Sequence, residues 1–321
     1  MSKPADGSFS PAWRRLSQFI LRPLIPALMK NDWRGQENFP AAGGMILAAN
    51  HLSYFDVLAL SLFSDHAGRY PVFLAKSSLF DIKVLGPIIT KLGQLPVYRH
   101  QSDAALVLRD AEQGVRNGAC VIFYPEATVT RDPELWPMVA KSGVARLALT
   151  TGAPVIPVAH WGAQRILPYG SFAPRLLPRK RVQVLAGPPV DLSAFDGQPL
   201  NAQNLRKATE LIMADITALL ATLRGETPPA EPYHPAIARR KARQELLQLA
   251  EASEAQADEA QADEAHASTA KASQIPASQE VAGQEVAGQE TTGQAAPSGQ
   301  ERSTAVTDTA ADSSQAEASP P

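Results

Sequence analysis

The chain predicts an α/β domain: a largely parallel central sheet flanked by helices, joined to an acidic tail of low complexity. Three observations predict it. Short apolar runs alternate with amphipathic helical stretches between residues 45 and 223, the order that builds parallel sheets from strand–helix–strand units. Start and stop signals punctuate that alternation: Ser53 and Ser102 precede helical patterns, and Gly118, Gly152 and Gly225 follow them. The composition then changes near Ala238, beyond which aromatics vanish and Ala, Glu, Gln, Ser, Thr and Gly take over.

The elements follow in order. From Pro11 to Lys30, Trp13, Leu16, Phe19, Ile20, Leu24, Ile25, Leu28 and Met29 cover one side of a helix. Arg14, Gln18 and Arg22 form a stripe on the other. Pro23 and Pro26 are expected to break or kink it into two pieces. Two readings stay open here: a helix lying in a membrane interface, or one capping its own domain. Met45–Ala49 reads as a buried strand leading to a helix over Val57–Phe63, with Ser53 as N-cap. Val72–Ala75 is a second strand, Ser78–Leu92 an irregular apolar stretch, and Leu95–Tyr98 a third strand. A helix from Ser102 to Val115 precedes the strand Cys120–Tyr124, a polar loop, and a helix from Ser142 to Thr151. Strands at Val155–Ala159 and Val182–Leu185 and a long amphipathic helix at Leu205–Leu223 complete the domain. No run of about 18 apolar residues is present, so no spanning helix is expected. The N-terminus also lacks the apolar core and cleavage site of a secretory signal.

The organisation expected is an amphipathic arm at residues 1–30, a domain at 31–225 and a tail at 226–321. In the tail Glu254–Asp258 recurs as Glu259–Asp263, and Gln279–Gly283 as Gln284–Gly288. A period this short is low complexity and not a stacked array. A solvated helix from Ile237 to about Ala270 is expected, then disorder. The charge divides in the same way. Residues 251–321 carry 13 acidic and 2 basic side chains, while residues 1–250 carry 19 acidic and 28 basic ones. A basic body suits an anionic partner. Its positive charge lacks interleaved aromatics, so nucleic acid is not expected as a partner. Cys120, inside an apolar run, reads as a core residue, and a lone cysteine excludes an internal disulfide framework. The six histidines are scattered without a Cys/His cluster, so no metal site is expected.

Candidate chemistry gathers where strands end, because ligands of such sheets bind at the carboxyl ends of the strands. His51 and Asp56 stand five positions apart where a strand gives way to a helix. A histidine there can act as a general base, with a carboxylate fixing its tautomer. The run also fits a carboxylate complementing the helix dipole beside a polar loop histidine. Gly93 to Arg99 ends a strand on an arginine, and Tyr124 to Arg131 carries Glu126 into a polar loop. A surface pair between Glu126 and Arg131 would be an equally ordinary explanation of the last segment.

Together these segments resemble the 1-acyl-glycerol-3-phosphate acyltransferases, over about residues 30–225 and with four blocks in the family's order. His51-x4-Asp56 is similar to the block that supplies the catalytic base and its partner. Gly93 to Arg99 is similar to the block whose arginine holds the acceptor's phosphate. Phe123-Tyr124-Pro125-Glu126-Ala127-Thr128 resembles the family's Phe-Pro-Glu-Gly-Thr, and Val155-Ile156-Pro157-Val158 its apolar fourth block. The resemblance implies that His51 and Asp56 are catalytic and that Gly93, Arg99, Glu126, Ala127 and Thr128 bind substrate, with Arg131 as a further phosphate ligand. It implies transfer of a fatty acyl group from acyl-coenzyme A or acyl carrier protein to the free hydroxyl of 1-acyl-glycerol-3-phosphate, giving phosphatidic acid. The thioester is a co-substrate, and no cofactor or metal is implied. A peripheral place on the cytoplasmic face of the cell membrane follows, with the membrane surface as partner. Another lipid or glycolipid acceptor, and a non-catalytic lipid-binding relative, stand as alternatives. Two positions depart from the family pattern: its glycine is Ala127, and its frequent arginine after the threonine is Val129. If that glycine uses positive φ, an alanine is strained by roughly 1 kcal/mol.

Overall fold

The computed structural model describes residues 11–97, 101–171 and 173–272. Its contacts divide the chain into one unit at residues 1–254 and a second at 255–321. In the first unit a seven-stranded sheet runs in the order β1 (Met29–Arg34), β7 (Lys180–Ala186), β6 (Val155–Trp161), β2 (Met45–Ala49), β5 (Cys120–Phe123), β3 (Pro71–Lys76), β4 (Leu95–Val97). From β6 to β4 every pair is parallel; β7 joins β6 antiparallel and carries β1 parallel to itself. The helices are α1 (Pro11–Leu28), α2 (Asp56–His66), α3 (Leu85–Lys91), α4 (Gln101–Arg116), α5 (Gly143–Thr151), α6 (Ala163–Ile166), α7 (Ala202–Arg224) and α8 (Pro235–Ala272).

β2 sits in the middle because its sequence is apolar on both faces. Ile46 and Ala48 pack with Val144, Ala148, Leu205 and Ile212 of α5 and α7, while Met45, Leu47 and Ala49 pack with Leu60 and Phe63 of α2. Alternate residues of a strand face opposite sides, so one apolar run serves two helical layers. Cys120 is buried in this core, and burial pushes its thiol up to about 12. It is a small core residue, as expected.

Three features differ from the expectations. Met29–Arg34 is an edge strand and not the end of a helix; its polar residues show no alternation that would mark a strand. α1 runs through Pro23 and Pro26 as one helix. A proline frees the carbonyl four residues earlier, and here those carbonyls belong to Phe19 and Arg22, both exposed, where water can satisfy them. The first unit also continues past Gly225, where the tail was expected to begin. Tyr233 forms a parallel bridge with Met138, and the Val139 N–H donates to Tyr233 O at 3.0 Å. α8 follows as the solvated helix the composition predicts, its side chains exposed nearly throughout where described. The disorder expected of the rest of the tail falls on residues 273–321, which lie outside the described residues.

α1 docks with its polar stripe inward. Gln18 and Arg22 donate to the two oxygens of Asp65 at 2.6 and 2.8 Å, and Arg14 lies 5.0 Å above the Tyr70 ring. Ile25 and Met29 enter the core, whereas Leu16, Phe19, Ile20 and Leu24 stay exposed, Phe19 at 80%. No described helix is long and apolar enough to cross a membrane.

Candidate active site

His51 emerges from the carboxyl end of β2, and α2 opens five residues later on Asp56. The Asp56 side chain folds back over its own helix start. Its Oδ2 accepts the Leu52 and Ser53 N–H groups at 2.7 and 2.8 Å and faces His51 Nδ1 at 2.9 Å. Ser53 does not cap the helix from outside as expected; its Oγ accepts the Phe55 N–H and donates to Leu167 O. Asp56 is fully buried and sits at the positive end of α2. Because a carboxylate only accepts, His51 Nδ1 carries the proton and Nε2 presents its lone pair. The imidazole keeps 11% exposure, so one edge of it is open.

The ring is held on its face as well. Tyr124 stacks on it with centroids 4.1 Å apart and planes 17° apart, and Tyr54 meets it edge-on at 6.3 Å. Burial, and behind it the Asp56 charge, pushes the Tyr124 phenol well above its ordinary range, so this plate stays neutral.

The loop after β5 grips the His51 backbone from both sides. Glu126 Oε1 accepts the His51 N–H at 3.1 Å, and the Thr130 N–H donates to His51 O at 2.7 Å. Glu126 Oε2 accepts the Met138 N–H at 3.0 Å. Burial pushes the Glu126 carboxyl up to about 8, against the pull of those two N–H bonds. Thr130 Oγ1 donates to Trp136 O, and Asp132 accepts the Trp136 N–H, which closes the loop on itself.

The structure therefore brings His51, Asp56, Glu126, Ala127, Thr128 and Arg131 to one rim. Glu126 makes no ion pair with Arg131 among the described residues, so the surface-pair explanation does not hold; both carboxylate oxygens take backbone N–H groups. Ala127 is exposed at φ 59°, the left-handed region, which is the strain anticipated for an alanine in place of glycine. Arg131 is exposed, its backbone N–H on Met138 Sδ. Gly93 is a correction. It lies at φ 70° just past α3, with its N–H on Thr90 O, and precedes β4. That places it at the amino end of a strand, away from the rim, where its visible role is to terminate a helix. Arg99 lies outside the described residues. The end of β4, two residues before it, is three strands from β2, about 14 Å at ordinary strand spacing.

The basic run near β7 is largely engaged with the fold. Arg179 donates to Pro26 O and Met29 O, Lys180 to Leu177 O and Pro178 O, and Arg181 pairs with Asp32 at 2.8 Å. Four residues around His51 were given no role from the sequence: Tyr124, Thr130, Asn50 and His160. Asn50 Nδ2 donates to His160 O at 3.2 Å, and its Oδ1 accepts the His160 N–H at 2.9 Å. The His160 ring is fully buried beside Asp56. A histidine ending an apolar strand run was the available signal, since a buried polar group needs partners.

Residues 30–161 match the acyltransferase family model. The chain is 32% identical over 144 residues to a chloroplastic 1-acyl-sn-glycerol-3-phosphate acyltransferase of Brassica napus, covering 44% of this chain and 40% of the relative. A chloroplastic protein of the same name from Arabidopsis thaliana is 27% identical over 194 residues, 59% of this chain and 52% of the relative. The chain thus spans about half the length of these plant relatives or less. The Bacillus subtilis 1-acyl-sn-glycerol-3-phosphate acyltransferase is 25% identical over 187 residues and is matched over 85% of its length. The crystal structure of a 1-acyl-sn-glycerophosphate acyltransferase from Thermotoga maritima shares the fold, with a TM-score of 0.50 and 24% identity over 68% of this chain and 81% of that one.

Proposed function

We propose that this chain moves a fatty acyl group from an acyl thioester to the free hydroxyl of 1-acyl-glycerol-3-phosphate, a reading supported by the match of residues 30–161 to the acyltransferase family model. The observation that carries this reading is the His51–Asp56 hydrogen bond of 2.9 Å, buried at Asp56 and open at the imidazole edge. His51 Nε2 takes the hydroxyl proton as the oxygen attacks the thioester carbonyl. Asp56 stabilises the imidazolium. The C–S bond then breaks, and the departing thiolate takes the proton back from His51. A thioester carbonyl is already activated, so no covalent enzyme intermediate is needed. General base catalysis of this kind contributes about 10²–10⁴-fold, and positioning supplies much of the rest.

The exposed Arg131 is a candidate ligand for the acceptor's phosphate, and Arg99 a second. Guanidinium groups bind phosphate in two-pronged fashion. Glu126 serves the backbone of the catalytic turn and not the headgroup. A second reading, transfer to another lipid or a glycolipid, is favoured by Ala127, whose exposed methyl stands where the family pattern has glycine. The protein works at the cytoplasmic face of the membrane, on which α1 lies peripherally; its exposed Leu16, Phe19, Ile20 and Leu24 support this.

The test is an acceptor screen with one labelled acyl thioester, acyl-coenzyme A and then acyl carrier protein. Label in phosphatidic acid is the expected result. Label in another lipid favours the second reading, and lysophosphatidate binding without any thioester turnover would leave a non-catalytic lipid binder.

A further inference from the structure

We propose that His160 is a positioning residue for the catalytic pair: its ring N–H braces the Asp56 carboxylate and the turn that carries His51. Nε2 lies 2.6 Å from Asn50 O and 3.4 Å from Asp56 Oδ2. Both neighbours only accept, so Nε2 carries a proton; its N–H donates to Asn50 O, and the Asp56 carboxylate lies within electrostatic reach of the same N–H. Nδ1 is buried and has no hydrogen-bond partner among the described residues. An imidazolium would strand a second N–H there, and burial accordingly holds the ring below its ordinary range, against the pull of Asp56 and Asn50. His160 is therefore a neutral dipole with its positive end toward Asp56.

The brace is built into the sheet. β6 and β2 are paired neighbours, and the Asn50 side chain holds the His160 peptide groups while the His160 ring holds the Asn50 carbonyl. The titratable groups facing the ring are Asp56 and His51; Tyr124 and Glu126 act on Asp56 from the β5 side. Asp56 Oδ2 already serves Leu52, Ser53 and His51. A further donor dipole draws some of its charge away from His51. Without it, the carboxylate acts more strongly on the imidazole, and His51 gives up its proton less readily.

This inference rests on His51 acting as the base, and the experiment separates the two. His160→Phe and His160→Asn remove the donor from the Nε2 position, and His160→Gln keeps an N–H at that reach. The readouts are the ring-proton NMR titration of His51, identified by its loss in His51→Ala, and kcat/KM against pH with acyl-coenzyme A. In the Phe and Asn variants the titration midpoint and the acid limb are expected to rise together by about half to one pH unit. kcat falls about tenfold, and Gln restores all three values. An unchanged midpoint in a folded Phe variant overturns the proposal. If the Phe variant does not fold, equal midpoints in Asn and Gln overturn it. A shifted midpoint with no turnover of any thioester, wild type included, upholds the brace and removes the acyltransferase reading.

Discussion

The turn at His51 and the loop carrying Ala127, Thr128 and Arg131 lie side by side on one rim, yet they are built differently. In the turn, His51 is held at its N–H, its carbonyl, its Nδ1 and its ring face. The loop is anchored through Glu126, Thr130 and Asp132, but Ala127 and Arg131 point into the open. Proton transfer tolerates little misplacement, and the atoms to which the proposed mechanism assigns it are pinned by buried contacts. Admitting a charged headgroup needs accessible donors instead.

The contrast can be broken by substitution. His51→Ala is expected to lower thiol release from acyl-coenzyme A by about 10²–10⁴-fold or more while melting changes little; wild-type-like turnover would remove His51 from the mechanism. Arg131→Ala on the open side, and likewise Arg99→Ala, are each expected to raise the acceptor KM by about 10- to 100-fold with the donor KM steady. Equal effects on both substrates would argue against a headgroup site there.

Glu126→Gln tests the pinning itself. An amide can accept on one side only, so the His51 or the Met138 N–H loses its acceptor, at about 1–3 kcal/mol of stability by denaturant titration. The pH dependence has a defined sign. Glu126 is raised in the fold to about 8 from an ordinary value of 4.5, so the native state holds its proton more tightly. Its contribution is complete below about 4.5 and is lost as pH rises through about 8. In the Gln variant that slope in Tm should vanish. The smallest effect is Ala127→Gly, which relieves the left-handed alanine and raises Tm by roughly 2–4 °C if about 1 kcal/mol is recovered. A lower Tm would show that the methyl is packed to advantage.

What the sequence revealed divides along similar lines. β2, β5 and β6 were legible because their apolar runs fill a core on both faces. α1 and α7 were both legible as amphipathic helices, but not which face turns inward. α7 buries Leu205, Ile212, Ile216 and Leu220, whereas α1 buries Ile25, packs Leu21 and Leu28 beside it, and also turns Gln18 and Arg22 toward Asp65. Periodicity reports that two faces differ and leaves their neighbours unspecified. His51 and Asp56 were readable as a local pair five positions apart. Asn50 and His160 were not, because they are 110 positions apart and a single polar residue carries no period. Gly93 was misplaced because a motif can span a whole strand and so join residues from opposite ends of the sheet.

The bridge between Tyr233 and Met138 has a consequence outside catalysis proper. Met138 holds Glu126, and Glu126 holds His51, so tension in the stretch Thr227–Pro232 reaches the imidazole through three links. Opening that bridge is expected to loosen the grip on the imidazole, so the stretch just after Gly225 belongs to the scaffold of the rim and not to the tail.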